Sequence, residues 1–126
     1  MVPAALENVI TQDNAKKVNC KILAELANGP TTPEGDNFLF NNGILVIPDF
    51  LCNAGGVTVS YLEMVQGYYQ YFWSEEEVIA ALDRIITKAY HETVEKAKDY
   101  NTHNRMGAYT IAVDRVINAM TLRGWI

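Results

Sequence analysis

Two short stretches concentrate the residues best suited to holding a polar ligand: Ala27-Asn28-Gly29-Pro30-Thr31-Thr32-Pro33 and Asn53-Ala54-Gly55-Gly56-Val57-Thr58-Val59-Ser60. In the first, Asn28 offers an amide that can bond a ribose hydroxyl or a carboxamide. Gly29 lets the backbone approach a ligand closely, and a helix following this stretch would present its amino end to anionic groups. The same residues also suit an ordinary turn in which Asn28 bonds only its own backbone. In the second stretch, Gly55 and Gly56 fall in the first turn of a predicted helix, where each costs roughly 1 kcal/mol relative to alanine. Such a cost is tolerated where something must come close to the backbone. Ser60, about one turn further on, can donate a hydrogen bond to an anion lying over the helix end. The alternative is a helix capped by Asn53, packed tightly through its glycines, with Ser60 satisfied by a main-chain carbonyl.

Neither stretch carries a general acid or base. No Ser-His-Asp arrangement, Gly-x-Gly-x-x-Gly loop, phosphate-binding loop or pair of loop carboxylates is visible. Glu63 reads as a helix-surface carboxylate rather than a base. Tyr68, Tyr69, Tyr71, Phe72 and Trp73 read as core or interface packing, because no basic groove accompanies them for base stacking. His91 and His103 have no companions at metal-ligand spacing. Cys20 and Cys52 stand far apart, as two free thiols in a reducing compartment would.

The elements that must position these residues follow from periodicity and punctuation. Residues 3–9 read as a loop entering a short helix, and 13–18 as a second helical piece with Asp13 as a plausible cap. Residues 19–26 read as a buried strand ending at Asn28-Gly29-Pro30. Thr32-Pro33 opens a helix, since threonine caps well and proline suits the first helical position; it should close near Asn42-Gly43. Residues 44–47 form a second strand, and their unbroken hydrophobicity predicts burial on both faces, as in a helix-covered parallel sheet. Strand, helix and strand then make one βαβ unit with a right-handed crossover, and both ligand-suited loops open on the crevice outside the strands' carboxyl ends. A long helix is predicted from Asn53 to about Phe72. Another starts at the Ser74/Glu77 capping box and runs to about Asp99, and a last one covers residues 105–123. Two strands are few for an open α/β sheet, so either further strands come from elsewhere or the chain is mostly a helical remnant that needs a partner.

Length and composition narrow the classes. A chain of 126 residues, 49% hydrophobic and 20% charged, is the size of one globular domain. Its formal charge of −5 disfavours nucleic acid as a partner. No apolar run reaches the roughly 20 residues of a membrane span, and no signal peptide is apparent; a cytoplasmic location is the expectation.

The residues of Pro3-Ala4-Ala5-Leu6-Glu7-Asn8-Val9-Ile10-Thr11, of Glu25 through Glu34 and of Ile47 through Tyr61 resemble, in order and spacing, the glutamate dehydrogenases of the archaeal and thermophile type. The likeness covers nearly the whole chain and extends to Arg123-Gly124-Trp125-Ile126. Relatives acting on leucine or phenylalanine share the glycine pair but not the run from Asn28 to Glu34 in this form. The resemblance implies an α/β fold: the C-terminal part of a Rossmann-like dinucleotide-binding domain, residues 1–126, with residues 74–126 as its helical end. It implies an NAD- or NADP-dependent oxidative deamination of L-glutamate to 2-oxoglutarate and ammonia. Asn28, Gly29 and Asn53 would bind the cofactor near its nicotinamide end, Val57 and Ser60 would line the pocket for the substrate's side-chain carboxylate, and the last helix would cross back toward the substrate domain. A homo-oligomer, hexameric in the family, is implied.

The family's catalytic lysines, its aspartate acid–base and its glycine-rich loop belong to parts that these 126 residues do not include. No catalytic residue is therefore assigned, and the chain by itself is expected to be inactive. Gly35 stands where alanine is usual and Met64 where tryptophan is common. A rival expectation is a shortened, non-catalytic paralogue serving as an oligomerisation or interaction module.

Overall fold

The computed structural model describes residues 1–126 as an α/β arrangement with a two-stranded parallel sheet and mostly helices. Strand β1 (Ile22–Ala24) pairs with β2 (Leu45–Ile47) in the register Ile22↔Leu45, Leu23↔Val46, Ala24↔Ile47. A short helix α1 (Gln12–Ala15) precedes the pair, and α2 (Pro33–Asn41) connects its strands. As the sequence predicts, Thr32 is extended and its hydroxyl accepts from Gly35 N at 3.2 Å, Pro33 opens α2, and Gly43 takes φ +73° after its end. The turn needs glycine at that last position because a side chain is strained there.

Three expectations near the amino end give way. Residues 3–9 form no helix: Pro3 is buried and its carbonyl accepts from Leu26 N and Ala27 N, both at 3.0 Å. These bonds also shorten the strand expected over residues 19–26, because beyond Glu25 the backbone turns from β2 toward Pro3. Thr11, not Asp13, precedes α1, and Asn14 Oδ1 accepts from Thr11 N at 2.8 Å. The amino-terminal residues instead run along the free side of β1, where the Met1 ammonium donates to Ile22 O at 2.8 Å and Ala24 N donates to Met1 O at 3.0 Å. β1 is thus bonded on both sides.

Burial of the sheet is one-sided. Leu23 and Val46 pack with Ile10, Ala15 and Leu39 into the core, whereas Ile22 and Leu45 across the pleat are exposed. The unbroken apolar runs predicted cover on both faces; within this chain one face is covered.

The long helix expected from Asn53 to about Phe72 is the shorter α4 (Gly55–Tyr69), ended by Gln70 at φ +55°, and an unpredicted short helix α3 (Asp49–Cys52) precedes it. Helix α5 (Glu75–Asp99) starts at the predicted box: Ser74 Oγ accepts from Glu77 N at 3.3 Å and Glu77 Oε2 accepts from Ser74 N at 2.7 Å. Helix α6 (Asn104–Leu122) packs on α5 through Gly107, where a Cβ would lie 2.8 Å from Thr93 O and 2.9 Å from Ala97 N. The start of α6 is pinned to the sheet by Asn104 Nδ2, which donates to Val46 O at 2.8 Å. No helix is long and apolar enough to cross a membrane.

Candidate functional site

Because β1 and β2 are parallel, their carboxyl ends lie on the same side, and the two predicted loops leave from there together. Asn53 Nδ2 donates to Asn28 Oδ1 at 2.8 Å and to Leu26 O at 3.2 Å. These bonds use both amide protons of Asn53, leaving the Asn28 amide nitrogen and the Asn53 amide oxygen without a partner in this chain. The turn reading, with Asn28 bonding only its own backbone, is therefore replaced by a side-chain pair that ties the loops. Gly29, at φ +56°, donates its N–H to Asp49 Oδ2 at 2.7 Å, which fixes the first loop against the start of α3.

The amino end of α4 is open. Ala54, not Asn53, is its N-cap; no side chain caps it and no acidic residue stands in its first turn. A Cβ on Gly55 or Gly56 would meet nothing within 4 Å, so no neighbour in this chain requires these glycines. Tight packing through the glycine pair is thereby excluded as their explanation here. Back-bonding to a main-chain carbonyl occurs at Thr58, whose hydroxyl donates to Ala54 O at 2.8 Å, and not at Ser60. Val57 and Ser60 lie exposed along α4, and neither bonds the asparagine pair. The amino end of α2 is different: Thr32 caps it, and Glu34 and Asp36 stand in its first turn. The chain's own carboxylates already meet the dipole that was expected to attract an anion there.

Beneath the loops lies a buried charged cluster. Arg105, in the first turn of α6, donates through Nη2 to Glu25 Oε1 and Oε2 at 2.8 and 2.7 Å, through Nε to Asp36 Oδ2 at 2.6 Å, and through Nη1 to Asp49 Oδ1 at 3.0 Å. Glu25 and Asp36 are 0% and 1% exposed, and the guanidinium is the cation paired with both inside the fold. Glu25 Oε2 also accepts from Asp49 N at 3.0 Å. Burial acts to lower the Arg105 pKa, but the bonds and charges of Glu25 and Asp36 override it and the net shift is upward. Burial, then the Glu25 charge, pushes the Cys52 thiol up, keeping this free cysteine protonated.

The family model for Glutamate/Leucine/Phenylalanine/Valine dehydrogenase matches residues 1–124. The chain belongs to this family. It is 47% identical over 125 residues to an NAD-specific glutamate dehydrogenase of Clostridioides difficile, covering 99% of this chain and 30% of the relative. It is 45% identical to the cryptic catabolic NAD-specific glutamate dehydrogenase of Bacillus subtilis (strain 168), covering all of this chain and again 30% of the relative. The crystal structure of glutamate dehydrogenase from Peptoniphilus asaccharolyticus superposes with a TM-score of 0.93 at 49% identity, covering 99% of this chain and 32% of that one. The chain thus spans about a third of the length of the dehydrogenases it matches.

In this member of the dehydrogenase family, Asn28, Gly29 and Asn53 are brought together, while Val57 and Ser60 line the adjoining helix end without touching them. The Arg105 cluster escaped the sequence reading. Its bonds span 80, 69 and 56 residues, so no local spacing announces it. The available signal was weaker: three acids, Glu25, Asp36 and Asp49, stand near strand or helix ends, and no lysine or arginine occurs from residue 22 to residue 83. Such a set requires a cation from a distant element.

Proposed function

We propose that this chain forms the nucleotide-binding wall of an NAD- or NADP-dependent glutamate dehydrogenase, as the C-terminal part of its Rossmann-like domain. The observation that carries this reading is the Asn28–Asn53 pair beside the uncapped, glycine-opened end of α4. The pair leaves one amide donor and one amide acceptor unbonded within this chain, which complements a carboxamide group or a ribose edge. Gly55 and Gly56 leave the backbone bare where a cofactor or substrate would approach. The residues present fit the dinucleotide: Asn28, Gly29 and Asn53 would hold its nicotinamide end. When bound, the nicotinamide supplies a hydride acceptor for the Cα hydrogen of L-glutamate. Val57 and Ser60, further along α4, would contact the substrate's side-chain carboxylate, with the helix dipole favouring negative charge there.

The carboxylates nearest the asparagines are committed elsewhere. Asp49 holds Gly29 N and Arg105, and Glu25 holds Arg105 and Asp49 N. This wall therefore binds and orients, and the proton transfers fall to groups outside these residues. Positioning alone, without an opposing wall to bring the substrate's Cα to the nicotinamide, gives no turnover. Accordingly, the purified 126-residue chain shows no glutamate-dependent reduction of NAD+ or NADP+ by absorbance, whereas a full-length dehydrogenase containing it does. Turnover by the short chain, with contaminating full-length enzyme ruled out by mass spectrometry, overturns the assignment of proton chemistry to other parts.

A second reading, a non-catalytic interaction module, is favoured by one observation: Tyr68, Tyr69, Tyr71 and Phe72 are 80%, 79%, 66% and 72% exposed. The aromatic cluster packs against nothing substantial in this chain, as an interface would. Light scattering discriminates: oligomers of the short chain support this reading, and a clean monomer at high concentration counts against it.

A further inference from the structure

We infer that Arg105 is a positioning residue for the nucleotide crevice, acting through Asp49 and Gly29 on the Asn28–Asn53 pair; this rests on the reading of that crevice as the dinucleotide site. The path is continuous. Arg105 Nη1 holds Asp49 Oδ1 at 3.0 Å, the other oxygen of Asp49 accepts from Gly29 N at 2.7 Å, and Asn28, next in the chain to Gly29, accepts from Asn53 Nδ2 at 2.8 Å. The remaining donors of Arg105 grip Glu25, at the end of β1, and Asp36, in the first turn of α2. One planar fork therefore links the end of β1, the first turn of α2 and the start of α3, three of the elements bordering the two loops. It also ties these elements to α6, whose first turn carries it, so a displacement of α6 is transmitted to the crevice.

Geometry of this kind demands guanidinium rather than positive charge alone. A lysine ammonium is a single point and cannot hold Glu25, Asp36 and Asp49 at once in these directions. The recess of about 520 Å³ beside this cluster is not itself the functional element. Thr31 Oγ1 and Asp36 Oδ1, which make no hydrogen bond, and His103 Nδ1, 3.4 Å from Asp36 Oδ2, are sealed from solvent, so no ligand entering the recess reaches them.

The test is a double-mutant cycle in the full-length dehydrogenase, reading the KM for the dinucleotide separately from kcat and from the KM for glutamate. Arg105→Lys is expected to raise the dinucleotide KM roughly tenfold, and to have little further effect once Asn28→Ala is present, because both changes break one path. If Arg105→Lys prevents folding, Asp49→Asn serves, since its amide oxygen can still accept from Gly29 N while the ion pair to Arg105 is lost. Additive effects of either variant with Asn28→Ala, or a fall in thermal stability with the dinucleotide KM unchanged, overturn the inference and leave Arg105 as scaffold only. If Asn28→Ala alone leaves the dinucleotide KM unaltered, the reading of the crevice fails first and the inference falls with it.

Discussion

Gly107 and Gly56 both stand early in a helix, yet they belong to opposite kinds of surface. Around Gly107 the chain is closed: a Cβ there would strike Thr93 O at 2.8 Å and Ala97 Cβ at 2.9 Å, and Arg105, two residues earlier, bonds three carboxylates. Around Gly56 the chain is open: a Cβ would meet nothing, the helix end has no cap, and Val57 is 69% exposed. The first region is explained entirely by contacts within these residues. The second is explained by none of them. A rule broken locally without compensation in the same chain marks a place where something else is meant to come, and that contrast directs attention to α4 rather than to the charged cluster below it.

The largest way to break the contrast is to remove the cation from the closed region. Arg105→Met leaves Glu25 and Asp36 buried without a counter-charge and is expected to cost about 3–5 kcal/mol, read as a lower urea midpoint. Next comes the glycine pair. Gly107→Ala forces α5 and α6 apart and should cost about 1–3 kcal/mol. Gly56→Ala costs no stability and can add up to roughly 1 kcal/mol of helix propensity, while dinucleotide or glutamate binding by the full-length enzyme weakens. Equal stability losses at both glycines would erase the distinction between closed and open surfaces.

The smallest effect concerns Cys52, whose thiol is raised by burial and then by Glu25. A folded pKa above the unfolded one means that this group's contribution to stability is full below the unfolded pKa. That contribution is lost as pH rises through the folded value. At neutral pH the thiol should therefore alkylate more slowly in the folded chain than in urea, as followed by mass spectrometry.

What the sequence made legible was local. Thr32-Pro33, Gly43 and the Ser74/Glu77 box act within one turn of themselves, and the structure places each where those short-range bonds demand. The meeting of Asn28 and Asn53 was legible at one remove, since parallel strands put both loops at the same end. The alternative reading of Asn53 as a cap, natural for an asparagine before a helix, gives way because Ala54 holds that position. Here the carbonyl of Leu26, 27 residues away, takes the Asn53 amide instead. Arg105 was illegible for the same reason on a larger scale: a guanidinium at a helix start looks like surface until the acids that need it are folded beneath it. The exposed sheet face and the tyrosines of residues 68–71 carried the signal of burial, and within these residues nothing covers them.

The central claim is that the paired asparagines at the strand ends hold the dinucleotide. Steady-state kinetics of Asn53→Ala in the full-length dehydrogenase test it directly. Loss of the bonds to Asn28 and Leu26, and of the free amide oxygen, should raise the dinucleotide KM by roughly tenfold, about 1.4 kcal/mol, with the KM for glutamate little changed. A dinucleotide KM equal to that of the unsubstituted enzyme would contradict the account.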